Sequence, residues 1–279
     1  IALDGGFSCP NIDGTCGRGG CTYCSYAFAR QTPESLLKQL ENGKALLHKK
    51  WPDAASYIPY LQANTNTYAP LEELRSKYEI LLSQKNVVGL AIATRADALP
   101  DPVCDYLAEI NRRTYLIVEL GLQTAWDDTA RRINRGHDWD TFLAGYEKLR
   151  RRRIPVCIHL INGLPGETEE DMLATIRYLN HQDIQGIKLQ LLHVLKGTDL
   201  AAWYENPGFP VFTEEEYIDL VIRCIDELSP DITIHRLTGD GPKELLIAPL
   251  WSSRKRSVLN EIHRQLKLRG SWQGKFFQP

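Results

Sequence analysis

Four cysteines fall within sixteen residues near the start of the chain, in Cys9-Pro-Asn-Ile-Asp-Gly-Thr-Cys16-Gly-Arg-Gly-Gly-Cys21-Thr-Tyr-Cys24. Thiols that close together suggest a metal. The Cys21-x-x-Cys24 pair can grip one ion or one edge of a cluster. Gly14, Gly17, Gly19 and Gly20 permit the tight, left-handed turns that let Cys9 fold back as a third ligand, with Cys16 a spare or a fourth. Structural zinc wants a closed set of four, usually as two pairs, and the chain has no second Cys-x-x-Cys or His-x-x-x-His pair. One pair plus a distant Cys suits a [4Fe-4S] cluster held by three thiolates, which leaves one iron open to a small molecule. Tyr23, just before the last Cys, can pack over the cluster or a cofactor. Zinc and a disulfide are the alternatives.

The spacing Cys9-x11-Cys21-x2-Cys24 resembles the cluster loop of the radical S-adenosylmethionine (SAM) superfamily, in a widened form similar to the Elongator catalytic-subunit branch. The resemblance covers nearly the whole chain. It is strongest to a bacterial group within that branch, through His235-Arg-Leu-Thr238-Gly-Asp240-Gly-Pro242 and Ala248-Pro249-Leu-Trp251. It implies a [4Fe-4S] cluster on Cys9, Cys21 and Cys24, SAM as cofactor, and a 5′-deoxyadenosyl radical that abstracts hydrogen from the substrate. The implied substrate is transfer RNA (tRNA), at the C5 side chain of the wobble uridine, and the implied electron donor is a flavodoxin or ferredoxin. A radical SAM enzyme acting on a small molecule or protein is one alternative; a non-catalytic, metal-binding RNA module is another.

Such chemistry needs a frame. With 279 residues and 43% apolar content the chain can bury a full core, and about 250 residues is the usual size of one α/β barrel. No apolar run of about 18 residues and no signal-like leader is present, so no membrane association is expected. Seven Cys without a secretory signal read as reduced thiols in the cytoplasm. A net charge of -2 confines any nucleic-acid contact to a local patch.

Ile1 to Ser8 reads as a first strand feeding the cysteine loop. Thr32-Pro33-Glu34 starts a helix that Leu36, Leu37, Leu40, Leu46 and Leu47 carry to about Lys50. Further strands are expected at Ser56 to Gln62, Val87 to Ala93, Tyr115 to Leu120, Val156 to Ile161 and Ile187 to Val194, with helices between them. Six strand and helix units predict an α/β fold, a partial (β/α)6 barrel like that of radical SAM proteins, over residues 1–199. Residues 200–279 read as an α+β extension covering the open side, with a helix from Thr213 to Leu228, a strand from Ile232 to Arg236 and a basic helix from Arg254 to Leu268.

Barrel active sites gather where strands end, so the residues just after each strand are the candidates. These are Thr94 and Arg95; Glu119, Gln123 and Thr124; His159 and Gly163; and His193 with Val194, Leu195 and Lys196. By the resemblance, Gln123 and Arg135 contact the ribose and methionine carboxylate of SAM, Gly163 lets the backbone approach it, and the main chain of Val194 to Lys196 holds adenine. The chain departs from its relatives where Ala93 replaces a third-strand carboxylate and His159 a fifth-strand acid, so Glu119 is expected to supply the missing charge. Tyr23, Thr94, Arg95 and His159 complete the expected cofactor set, and His193, His235 and Arg236 are candidates for a catalytic side chain. Bland readings stand beside these: Glu119 as a paired structural charge, the histidines as core residues, Thr94 and Arg95 as helix caps, and Cys104, Cys157 and Cys224 as small hydrophobes. The tail interleaves Arg254, Lys255, Arg256, Lys267 and Arg269 with Trp251 and Trp272, a composition that holds phosphates and stacks bases; a solvated basic helix is the plainer reading.

Overall fold

Strand-forming and helix-forming stretches alternate as their periodicity predicts. The computed structural model describes residues 1–25, 34–62, 64–239 and 241–279. In chain order the elements are β1 (Ala2–Leu3), α1 (Leu36–Lys50), β2 (Tyr60–Leu61), α2 (Leu71–Leu82), β3 (Gly89–Arg95), α3 (Asp101–Arg113), β4 (Tyr115–Gln123), α4 (Asp127–Arg132) and α5 (Trp139–Arg151). Then come β5 (Val156–Asn162), α6 (Glu169–Asn180), β6 (Gly186–Leu191), β7 (Val194–Leu195), α7 (Asp199–Glu205), α8 (Glu214–Glu227), β8 (Thr233–Arg236), β9 (Leu246–Ala248) and α9 (Lys255–Arg269). Seven strands form one sheet in the order β1-β2-β3-β4-β5-β6-β8, and β7 and β9 form an antiparallel pair. The class is α/β, as expected.

Three expectations change. The first two strands shrink to two residues each, because only Ala2–Leu3 and Tyr60–Leu61 find ladder partners in register. The expected sixth strand stops at Leu191, and Val194–Leu195 turns away to pair with β9. The strand assigned to the extension instead joins the main sheet: β8 lies parallel to β6, with a bulge between Ile187 and Lys188, and makes the seventh strand. The helix start at Thr32 and Pro33 lies outside the described residues, as does Asp240.

The chain divides into two compact units. The first takes the described residues of Ile1–Gly19, Phe28–Gly121 and Asp140–Val156. Its strands run in simple register, Ala2 beside Tyr60, Tyr60 beside Ala91 and Ala91 beside Ile117. β3 reads Gly-Leu-Ala-Ile-Ala-Thr-Arg and is almost wholly buried, the pattern of a parallel strand covered on both faces. On the helix layer Tyr78 of α2 stacks on Tyr106 of α3 at 6.0 Å.

The second unit takes the described residues of Gly20–Ala27, Leu122–Trp139 and Cys157–Pro279. Its two longest helices that open on threonine both carry capping boxes, Thr168 with Asp171 on α6 and Thr213 with Glu216 on α8. Each box satisfies two of the amide donors that a helix start leaves open. Leu191 of β6, Val221 and Ile225 of α8, and Val258 and Ile262 of α9 share one buried cluster. Fully burying each such side chain contributes about 1.5 to 3 kcal/mol. Among the described residues no helix is long and apolar enough to cross a membrane.

Candidate cofactor site

The cysteine loop is built from turns. Cys9 O accepts from the amides of Ile12 at 2.9 Å and Asp13 at 3.4 Å, and Pro10 O accepts from Cys16 N at 2.9 Å. A second turn joins Cys24 N to Cys21 O at 2.9 Å, holding this pair together. Cys9 and Cys16 belong to the first unit, Cys21 and Cys24 to the second.

The second half of the loop is fastened to the end of α4. That helix closes with Asn134 in the left-handed region, φ 51°, and Arg135 N returning to Ala130 O at 2.8 Å, a common way to satisfy the last carbonyls. The reversal aims Asn134 Nδ2 at Gly20 O, 2.6 Å away, while Thr22 N donates to Ile133 O at 3.0 Å. Arg135, 3% exposed, brings Nη1 to 4.0 Å from Cys21 Sγ. A guanidinium in that place offsets thiolate charge. Tyr23 packs on the cluster of Ile133, Leu164, Leu192 and Val194. Burial, and after it the Cys21 sulfur, pushes its hydroxyl well above the ordinary range, with Arg135 pulling the other way.

All four loop cysteines are free thiols. Among the described residues no three Cys, His, Asp or Glu side chains are gathered as a metal ion would gather them. The donor chemistry nevertheless fits an iron–sulfur cluster: soft thiols in a glycine-rich loop, one pair in a single turn, and a cation beside one sulfur. Cys16 is exposed, and desolvation and then the Asp97 carboxylate hold its thiol above the usual value.

β4 ends on Gln123 at φ 75°, a left-handed conformation that a glutamine rarely adopts and that the surroundings must enforce. Beyond it, Thr124 Oγ1 donates a short bond to Glu167 and accepts from Trp126 N at 3.0 Å. The turn after β5 carries Gly163 at φ 92° and Gly166 at φ 90°, and a Cβ on Gly166 would lie 1.5 Å from Arg132 Nη1, which donates to Pro165 O at 2.8 Å. Glu167 is a residue that sequence reasoning left without a role. Burial, opposed by Thr124 and Thr129, pushes its carboxyl up to about 7. Its signal was an acid directly after Pro165-Gly166 at a strand end.

His159 faces Gln190 across two strands, Nδ1 to Nε2 at 3.5 Å. His193 Nε2 lies 3.0 Å from Ser252 Oγ. Ser252 spends its proton on Pro249 O at 2.8 Å, so His193 carries hydrogen on Nε2 and donates. Val194 and Leu195 spend one side of their main chain on β9, and Lys196 N donates to Leu245 O at 2.8 Å. His235 is exposed and Arg236 half-buried.

In the first unit, Thr94 Oγ1 meets Thr67 Oγ1 at 2.5 Å, and Arg95 grips Asp97 with Nε at 2.8 Å and Nη2 at 2.6 Å. Neither caps α3, which begins at Asp101 behind Pro100; Arg95 does stand at the N-cap of a short 3-10 turn, Ala96–Ala98, but its side chain makes no cap bond there. Glu119 is buried and in register with Ala93, the position whose missing carboxylate it was expected to replace. A cavity of about 860 Å³ opens beside Thr67, Tyr68, Asp97 and Lys148, and the cysteine loop lends it no lining residue.

On α9 and the turn before it, Arg254 is held by Glu214 at 2.6 Å and Arg269 by Asp219 at 2.5 Å, so carboxylates neutralise both. Arg256, His263 and Lys267 are exposed and lie on one helical face. Trp251, expected to stack on bases, instead packs into the α8 and α9 core and donates Nε1 to Phe212 O at 2.9 Å. Trp272 is 61% exposed with Lys275 over its ring at 5.4 Å.

The Radical SAM superfamily profile matches residues 12–179 and the Radical SAM C-terminal domain residues 184–268. The chain belongs to the radical SAM superfamily and is a radical SAM enzyme. It is 50% identical to the protein YtqA of Bacillus subtilis over 282 residues, which covers 100% of this chain and 87% of that one. It is 29% identical over 206 residues to a tRNA uridine(34) acetyltransferase of Dehalococcoides mccartyi, covering 71% of this chain and 43% of that one. Its fold is similar to that of the archaeal Elp3 of Methanocaldococcus infernus, with a TM-score of 0.71 at 16% identity over 83% of this chain and 58% of that structure.

Proposed function

We propose that this enzyme modifies the C5 side chain of the wobble uridine in tRNA. Cys9, Cys21 and Cys24 hold a [4Fe-4S] cluster, and SAM lies against Gln123 and Arg135, with Tyr23, Thr94, Glu119, His159 and Gly163 around it. When bound, cluster and cofactor together supply reductive cleavage of SAM and a 5′-deoxyadenosyl radical that takes a hydrogen atom from the substrate. The protein's own residues bind, orient and exclude water. The observation that carries the reading is Arg135, 4.0 Å from Cys21 Sγ, because one guanidinium then adjoins both a cluster ligand and the place for the methionine carboxylate. A cytoplasmic flavodoxin or ferredoxin supplies the electron.

The choice of tRNA rests on the distant relative that acts on tRNA uridine(34) and on the basic face of α9. A chain of net charge -2 attracts RNA only through such a patch. Arg256 and Lys267, exposed on one face, are its strongest members, with Trp272 as a stacking surface. Replacing both cations by Gln is expected to weaken tRNA binding and to flatten its salt dependence by roughly 0.7 to 0.9 in logarithmic slope for each lost contact. Formation of 5′-deoxyadenosine without RNA stays as in the parent. Binding of tRNA by the parent with no salt dependence, or none at all, returns the substrate to a small molecule or a protein.

A further inference from the structure

The segment from Gln123 to Arg135 begins and ends on the side chains set against SAM, and it has little of its own to hold it in shape. Gln123 is left-handed at φ 75°, a conformation that a residue with a Cβ keeps only where its surroundings enforce it. α4 has six residues, far fewer than a helix needs to be stable by itself. Its end must nevertheless bring Asn134 and Arg135 to the cysteine loop. The segment therefore takes its shape from contacts outside it.

Those contacts come from the turn after β5 and the start of α6, within the same unit. Arg132 Nη1 donates to Pro165 O at 2.8 Å, and the missing side chain of Gly166 makes room for that guanidinium. Trp126 Nε1 donates to Asp171 O at 2.9 Å. Glu167 adds a carboxyl that takes a short hydrogen bond from Thr124 Oγ1 and another from Thr129, both threonines being buried. Thr124 follows Gln123 directly, and Thr129 lies on α4. One carboxyl thus joins the turn that sets Gln123 to the helix that leads to Arg135.

The direction of the Thr124 bond follows from its other partner. Trp126 N donates to Thr124 Oγ1 at 3.0 Å, so the hydroxyl proton points to Glu167, which acts as acceptor. This latch requires an acceptor oxygen and no charge. Burial accordingly pushes the Glu167 carboxyl up to about 7, and Arg132 is turned to Pro165 O.

We infer that Glu167 is a positioning residue of the cofactor site: by fixing Thr124 and Thr129 it holds Gln123 in its left-handed turn and α4 in the place that brings Arg135 to Cys21. The inference rests on the proposed SAM contacts of Gln123 and Arg135, and it gives Glu167 itself no contact with the reacting atoms.

The test measures SAM affinity by equilibrium dialysis on the anaerobically reconstituted protein, with iron content alongside. Glu167→Ala is expected to weaken SAM binding about two- to tenfold, as loss of one neutral hydrogen bond does, with iron unchanged. Glu167→Gln keeps the acceptor oxygen and is expected to bind SAM as the parent does, a rescue that separates holding a hydroxyl from meeting the cofactor by charge. Thr124→Val removes the same bond from its other side and Thr124→Ser restores it, so this pair decides if Glu167→Ala does not fold. Losses at independent sites multiply, whereas in the double variant Gln123→Ala, Glu167→Ala the two losses are expected to overlap. The inference is overturned by multiplied losses, by a Glu167→Ala or Thr124→Val variant that binds SAM like the parent, or by a Glu167→Gln variant as weak as Glu167→Ala. If Gln123→Ala and Arg135→Ala bind SAM like the parent, the proposed contacts fall and the inference with them; if those two bind it weakly, the other outcomes bear on Glu167 alone.

Discussion

The end of β3 and the paired strands β6 and β8 both carry charge, yet they come by it in different ways. After β3 the side chains answer one another: Thr94 meets Thr67, and Arg95 closes on Asp97 in a buried fork. On β6 and β8 a cation stands beside a cation. Complementary charges make a part that is finished by folding. The fork after β3 joins residues two apart in the chain, whereas the pair on β6 and β8 is brought together by register alone.

The largest effect that bears on this contrast lies in the cysteines. Cys21→Ala or Cys24→Ala should abolish cluster incorporation, read as iron content and visible absorbance after anaerobic reconstitution. Cys224→Ala should leave both unchanged, because burial pushes that thiol up to about 12 and keeps it from acting as a ligand. Iron lost equally from both would erase the distinction between loop and core thiols.

Next comes Arg95. Removing one partner of a buried ion pair costs about 3 to 5 kcal/mol, so Arg95→Ala should unfold in markedly less urea than the parent. A stable Arg95→Ala that instead loses SAM affinity would make the end of β3 a cofactor contact and break the comparison. Arg135→Ala should behave in the reverse way. Iron content stays, while SAM binds about ten- to a hundredfold more weakly, a loss of about 1.5 to 3 kcal/mol.

The smallest effect concerns Glu167, whose carboxyl rises from 4.5 to about 7 in the folded chain. Between those values the folded state holds a proton that the unfolded state has released. Stability is therefore greatest below pH 4.5 as far as this group is concerned, and falls as pH climbs towards 7, by about 1 to 3 kcal/mol in all. Glu167→Gln should flatten that part of the stability profile, measured by urea unfolding across the range. An unchanged slope would mean that the folded site holds Glu167 ionised.

Much of this was legible in the sequence, for definite reasons. Buried parallel strands such as Val87 to Ala93 read as nearly continuous apolar runs, and helices such as α5 read as stripes, because burial selects for both patterns. The cysteine spacing announced its chemistry. What stayed hidden was set by distant partners. β8 is short and partly exposed, with no pattern of its own that says it will pair with β6 rather than stay in an extension. Trp251 sits among cations in sequence, but the apolar faces of α8 and α9 decide its place. Arg95 and Asp97 are two residues apart, so their pairing lay within reach of the sequence, whereas Lys188 came to stand beside Arg236 only through register that a single strand cannot reveal.

The fastening of the cysteine loop also sets an order in time. Cys21 and Cys24 are made early, but the groups that seat their turn are not: Ile133 and Asn134 accept from and donate to it from more than a hundred residues on, and Leu200 N reaches Thr22 O at 2.9 Å from farther still. At a synthesis rate of about 5 to 20 residues per second, roughly nine to thirty-five seconds separate the appearance of these thiols from that of Leu200. During that interval the nascent loop offers reactive sulfur without its frame, so iron and sulfide are best delivered after the chain has passed Leu200, and oxidants met before then find the thiols least protected.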